Sequence, residues 1–361
     1  MQSIKVAIAF SFTCFTMLLN SVILAQGEPY PITQETKLLV IEKAAALFET
    51  EHVIPEIGKE YATALRENMV SGTFDEVVTG REFMIVMDRI LWPIDTDGHV
   101  SINFRSTDIP ADYSGNFENV SPEQIAEADA LAKRRNFGFE NIERLRGNIG
   151  YIDYRAFTEA NGSKEALASV MSFVQHTEAL IIDLRQNGGG SPNMHAEFVS
   201  YFLNSTNVLI GSFIDREGKV TDEYRTSGEL LGPRYGESKP VFILNSKNTY
   251  SAAEAFGYTL QTRNRATIVG EATQGGARPT HSHRLHSRFM LRVPVARSLD
   301  PITNSSWEDV GIIPDYEIPS EDSLPFAYRA ALEELISMAD EGPAKREKEL
   351  VLGELVDSSA N

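Results

Sequence analysis

Ala179-Leu-Ile-Ile-Asp183-Leu-Arg-Gln-Asn-Gly188-Gly189-Gly190 is a short apolar run that closes on an acid and then on three glycines. An apolar run of this length reads as a strand buried on both faces, and the glycines after it as a turn into a helix over 194–203. The same unit recurs outward from it. Upstream lie a strand in Gly147-Asn-Ile-Gly-Tyr-Ile-Asp-Tyr154 and a helix near 163–177; downstream lie Val241-Phe-Ile-Leu-Asn245, a helix over 252–262 and Ala266-Thr-Ile-Val-Gly270. Strands that alternate with helices predict an α/β fold around a substantially parallel sheet. Paired strands are expected around 282–296. In front of this region, Leu38, Leu39, Ile41, Ala44, Ala45 and Leu47, then Phe83, Ile85, Val86 and Ile90, recur at near-helical spacing, so 34–92 reads as a small helical bundle. A first strand, VSINF, follows it. Residues 107–140 are polar and acidic and read as a loop with one helix, and the last 35 residues read as helical with a polar tail.

The 361 residues are 42% hydrophobic and 23% charged, as in folded globular proteins. With 51 acidic against 33 basic residues and a net charge of −18, no nucleic-acid partner is expected. Residues 1–25 read as a secretory signal: an early Lys5, an apolar run, and Ala25 as the last residue before cleavage. An uncleaved anchor is the alternative reading of the run from Val6 to Ala25. The only cysteine, Cys14, falls inside this leader, so the mature chain has no thiol for a disulfide, for nucleophilic catalysis or for a Cys-type zinc site. The expectation is an exported protein, periplasmic or extracellular, with no membrane span after leader cleavage.

Several stretches admit a chemical and a structural reading side by side. The glycine turn at 188–190 can be a tight turn that uses glycine's φ freedom, a weak phosphate cradle, or a set of N–H groups facing an oxyanion. Ser251-Ala-Ala-Glu254 follows the Val241 strand and fits a capping box. A serine at the tip of a strand and on a helix N-terminus is also well placed as a nucleophile, with the Ala252 N–H aimed at an acyl oxygen. Such a serine needs a base. His99, in Asp97-Gly-His-Val, is either a polar surface residue or that base; no lysine occurs between residues 248 and 344. Glu308, in Trp307-Glu-Asp-Val-Gly-Ile-Ile-Pro314, is either a turn residue or the acid that orients an imidazole. His281, His283 and His286 suggest a metal only faintly: 281 and 283 would share a strand face, but no acidic cluster accompanies them in sequence.

Taken together and in this order, DLRQNGGG, TYSAAEAFGYTLQTRNRATIVGEATQGGA and WEDVGIIPD resemble the tail-specific, or C-terminal processing, serine protease family. The N-terminal helices, DGHV and GNIGYIDYRAF are similar to its branch with the tricorn core proteases and interphotoreceptor retinoid-binding protein. The resemblance covers most of residues 35–320. It implies a crotonase/ClpP-like β-β-α core with the bundle packed on it, Ser251 as nucleophile, His99 as general base and Glu308 as the acid. It also implies an oxyanion hole from the N–H groups of Ala252 and Gly189. The Ser-Lys branch carries its lysine at the position of Gly276, so this chain would use histidine. Some tricorn-type members have a serine immediately before the histidine, where Gly98 stands here. No PDZ-like run of strands lies between His99 and Gly147.

The resulting expectation is a serine peptidase acting on peptides or unfolded proteins through an acyl-enzyme, with no cofactor and no metal and with oligomeric state open. A non-catalytic binder of an apolar ligand on the same scaffold is the alternative. The expected divisions are a leader over 1–25, a helical bundle over 26–95, a catalytic α/β domain over 96–325, and a C-terminal helix with a polar tail over 326–361.

Overall fold

A computed structural model describes residues 30–95, 98–111, 113 and 122–359; the leader over 1–25 and Asp97 lie outside the described residues. Three helices open the chain: α1 (Gln34–Glu51), α2 (Pro55–Val70) and α3 (Gly80–Leu91). Their starts are written locally. Thr33 accepts the Thr36 N–H, Pro55 occupies the first turn of α2, and Thr79 with Glu82 closes a full capping box on α3. Strand β1 (Ser101–Phe104) leads to α4 (Pro122–Arg134) and then β2 (Phe139–Leu145) and β3 (Ile149–Tyr154). The α/β succession follows: α5 (Ser163–Val174), β4 (Ala179–Asp183), α6 (Pro192–Val199), a hairpin of β5 (Leu209–Asp215) and β6 (Val220–Arg225), β7 (Val241–Asn245), α7 (Ala252–Thr262) and β8 (Thr267–Gly270). Strands β9 (Thr280–His286), β10 (Phe289–Pro294), β11 (Ala296–Leu299) and β12 (Tyr316–Glu317) precede α8 (Ser320–Met338) and α9 (Pro343–Ser359).

The central sheet has six strands in the order β12-β8-β7-β4-β3-β2, parallel except for β2 at the edge. This is the α/β core expected from the alternation. Both faces of β4 and β7 are buried, which is why their sequences are unbroken apolar runs. One face packs on α5, α6 and α7 through Met171, Phe198 and Phe256; the other packs on α8 through Ala327, Ala331 and Leu332. Two antiparallel three-stranded sheets, β1-β10-β9 and β11-β5-β6, complete the fold.

Two of the expected divisions cut through structure. Helix α8 begins at Ser320, so a boundary at 325/326 falls inside it. The helices over 34–91 share one apolar core with β1, β9 and β10: Phe48, Phe83 and Met87 pack with Ile102, Leu285, Phe289 and Leu291. The bundle is therefore continuous with strands that come two hundred residues later. Among the described residues, no helix is long and apolar enough to cross a membrane.

Candidate active site

The turn from β7 into α7 is held by the glycine-turn strand beside it. Ser246 Oγ donates to the Arg185 carbonyl at 2.6 Å, Thr249 Oγ1 to the Leu184 carbonyl at 2.8 Å, and the Tyr250 N–H to the Asn187 carbonyl at 3.0 Å. The chain then reverses at Ser251, with φ 56° and ψ −121°. A non-glycine residue held at positive φ costs about 1–3 kcal/mol and persists only where its surroundings over-determine it. A sharp strand-to-helix turn of this kind lifts a serine hydroxyl clear of the sheet, as in nucleophile elbows. Glu254, fully buried, accepts the Ser251 N–H at 2.7 Å. The same carboxylate also takes Thr273 Oγ1 at 2.6 Å and the N–H groups of Gly275 and Gly276 at 2.8 and 3.0 Å. Burial pushes the Glu254 carboxyl up, and these four donors pull it back down. Glu254 is thus more than a helix cap: it clamps the 273–276 loop against the base of the serine turn.

Gly189 is a close-approach glycine. With φ +97°, a Cβ built on it would lie 2.8 Å from Ser251 Cβ, 2.8 Å from the Tyr250 carbonyl oxygen and 2.9 Å from the Ala252 nitrogen. The turn at 188–190 therefore abuts the serine backbone, and no side chain fits between them. Its geometry is set by Asn187, whose Nδ2 donates to the Tyr154 carbonyl at 2.9 Å and whose Oδ1 accepts the Gly189 N–H at 2.8 Å. The Gly189 N–H, expected to face an oxyanion, is thus engaged by a side chain in this conformation. Ala252 is the first residue of α7, where a backbone N–H has no intrahelical acceptor.

His99 is buried, and its Nδ1 lies 3.1 Å from Tyr250 Oη, with the two rings 4.7 Å apart. Tyr250 immediately precedes Ser251, so one residue couples the serine turn to the histidine. Nothing in the sequence marked it. A Cβ built on Gly98 would lie 3.0 Å from Tyr250 Oη, so the tyrosine hydroxyl stands where a side chain at 98 would project. A Cβ built on Gly276 would lie 2.3 Å from the Tyr250 ring. The ring occupies the room that a side chain at 276 would need, a lysine included.

Glu308 is positioned from two sides. Its Oε2 accepts the Ala277 N–H at 2.6 Å, and its Oε1 lies 3.0 Å from Nε of Arg278. Arg278, buried, also pairs with Asp95, and its Nη2 lies 3.6 Å from Asp309 Oδ2. Arg278 therefore ties the loop of Glu308 to the segment that leads into His99. The Trp307 indole donates to the Gly276 carbonyl at 2.9 Å and fixes the same loop to the Glu254-clamped turn. Arg278 was not singled out by the sequence, because an arginine after Gly-Gly-Ala carries no local signal. At the far end of the Asp183-Leu-Arg185 stretch, Arg185 pairs with Asp183 and donates to the Ser320 carbonyl at 2.7 Å, which anchors the strand to α8. The carboxylate that the sequence does not place beside His281 and His283 is supplied in space by Glu51.

Comparison with known proteins agrees with this architecture. Residues 148–318 match the family model of peptidase family S41. Carboxyl-terminal-processing peptidase 2, chloroplastic, of Arabidopsis thaliana is 31% identical over 173 residues, which is 47% of this chain and 32% of that protein. The carboxy-terminal-processing protease of Bartonella bacilliformis is 28% identical over 190 residues, 52% of this chain and 42% of that protein. The match thus spans less than half the length of either relative. Among solved structures, mature CPAF complexed with lactacystin superposes with a TM-score of 0.55 over 90% of this chain and 99% of that one, at 12% identity. The photosystem II D1 C-terminal processing protease does so with 0.50 over 80% and 94%, at 16% identity. The tricorn protease also gives 0.50, over 89% of this chain and 37% of that one, at 15% identity; at these identities the likeness is one of fold. In its matched segment, its sequence relatives and its fold, the chain is a relative of the carboxyl-terminal processing serine proteases of peptidase family S41.

Proposed function

We propose that the chain is an exported serine peptidase that cleaves peptide bonds of peptides or unfolded proteins through an acyl-enzyme on Ser251. The observation that carries this reading is the serine turn itself: Ser251 at positive φ, on the first turn of α7, pressed against Gly189 and linked through Tyr250 to His99. Export rests on the leader-like residues 1–25, read from sequence alone.

Chemically, the Ser251 hydroxyl attacks the scissile carbonyl carbon while His99 takes its proton. The tetrahedral oxyanion rests on the Ala252 N–H, favoured by the positive end of the α7 dipole. A second donor at Gly189 requires its N–H to turn away from Asn187 Oδ1 when substrate binds. The C–N bond then breaks as His99 returns the proton to the leaving amine, and a water activated by His99 releases the acyl group. For His99 to work through Nε2, its proton must sit on Nδ1 and be donated to Tyr250 Oη. Glu308 acts as the acid of the site, stabilising the imidazolium and, through Arg278, holding the His99 segment in place.

The test is a mass-spectrometric digest of a denatured peptide library by the purified protein, with Ser251→Ala run in parallel. Cleavage by the wild type alone is expected. Equal cleavage by both, or an unfolded Ser251→Ala, would remove Ser251 from the role of nucleophile.

A further inference from the structure

His281 and His283 stand two residues apart on β9 and so point from the same face of the strand, with ring centroids 6.3 Å apart. Helix α1 packs against this strand; Lys43 from α1 donates to the Arg284 carbonyl, and Glu51 is the helix's last residue. The result is a three-residue group whose donor atoms, one carboxylate oxygen and two imidazole nitrogens, all lie within 4.8 Å of one another. Glu51 Oε2 is 2.9 Å from His283 Nε2, an ion-pair distance, with the geometry poor for a hydrogen bond from the ring N–H. A carboxylate oxygen and an imidazole nitrogen this close, with a second imidazole beside them, can share a metal ion in place of a proton.

We propose that Glu51, His281 and His283 form a binding site for a divalent transition metal of the zinc class, one that pins α1 to β9. The donor set selects the ion. Imidazole nitrogens suit zinc and its first-row neighbours, whereas calcium and magnesium take oxygen ligands. Three protein ligands leave coordination positions for water, and the side chains of His283 and Glu51 are 19% and 33% exposed, so the ion can enter from solvent. The nearby Lys43 ammonium opposes a cation and keeps the affinity moderate. Because the ligands come from the first helix and from a strand late in the chain, an ion here stabilises only the folded arrangement. The proposal does not depend on the serine peptidase reading.

The experiment uses the tag-free, chelator-treated full chain and titrates it with zinc chloride by calorimetry, with cobalt(II) as the spectroscopic probe. One zinc ion per chain is expected, with a dissociation constant on the order of micromolar. At about a hundredfold excess over that constant the unfolding midpoint should rise by roughly 5 °C, with no rise for magnesium or calcium. His281→Ala and Glu51→Gln should each weaken zinc by at least about tenfold, and His283→Ala should remove the visible cobalt bands. Lys43→Met should tighten binding. His281 is exposed, so its replacement leaves the metal-free midpoint unchanged and separates ligand loss from misfolding. No zinc uptake by the wild type at about 100 µM would overturn the proposal. So would equal uptake by His281→Ala and Glu51→Gln, or an equal midpoint shift from magnesium.

Discussion

At the scale of single residues, Tyr250 changes how the proposed catalytic set is understood. It follows Thr249 and precedes Ser251, so its backbone belongs to the serine turn while its hydroxyl reaches His99. Losing one neutral hydrogen bond is worth about 0.5–1.5 kcal/mol, so Tyr250→Phe should lower kcat by roughly tenfold with KM little changed. Steady-state kinetics on a cleaved peptide tests this, and an unchanged kcat would reduce Tyr250 to packing. Gly189→Ala is a harsher change. It forces a Cβ into backbone atoms at 2.8–2.9 Å and holds alanine at φ +97°. It should destabilise the fold by about 1–3 kcal/mol and cut turnover by more than about a hundredfold, read by urea midpoint and by kinetics. Ser251, Gly189 and Ala252 stood out as candidates because they sit where strand, turn and helix follow one another in local order. Tyr250 and Arg278 were not, since each acts on a segment more than a hundred residues away and neither breaks a local rule.

At the scale of elements, the apolar strands and capped helices were readable where burial is complete, as in β4, β7 and α7. Strands β2 and β6 were missed because they lie at sheet edges with mostly exposed, charged side chains, FENIERL and VTDEYR, which carry no alternation to detect. The start of α7 was read correctly as a capping motif, but the wider reach of its acid was hidden. Glu254→Gln would set an amide N–H₂ against two of the four donors, either Ser251 and Gly276 or Thr273 and Gly275. A cost of about 2–4 kcal/mol is expected, together with loss of turnover as the serine turn relaxes. Between α6 and α7, His195 is buried with its Nε2 3.3 Å from Thr259 Oγ1; burial first, and then the charge of Arg263, pushes its pKa down to about 3. The unfolded chain therefore takes up a proton below about pH 6.5 that the folded chain refuses. Stability from this site is full above that pH and falls as pH drops toward about 3, by up to about 1.4 kcal/mol per unit. His195→Gln should flatten the slope of unfolding free energy against pH by close to one proton over this range, measured by denaturant melts in steps from pH 7 to 4.

At the scale of the whole molecule, His99 sits at the seam between two bodies of structure rather than inside either. Val100 leads directly into β1, and β1 pairs with β10, whose Phe289 lies in the bundle's core. Phe289 packs edge-on to Phe83 at 5.7 Å and tilted to Phe104 at 5.2 Å, so it joins α3, β1 and β10 in one contact. Arg278 fastens the same seam from the other side through Asp95 and Glu308. The helices thus form a wall of the core against which the His99 segment is held, and their shared packing makes independent unfolding unfavourable. Phe289→Ala removes a fully buried ring and should cost about 3–5 kcal/mol. Because the seam carries His99, turnover should fall even at temperatures where the protein remains folded, while Ser251 still reacts with a small phosphonylating probe that needs less of the base. Calorimetry of the variant should show one transition moved down. A bundle transition that splits from an unshifted α/β transition, with turnover intact, would mean that the bundle is an appended body and that His99 is placed by the α/β core alone.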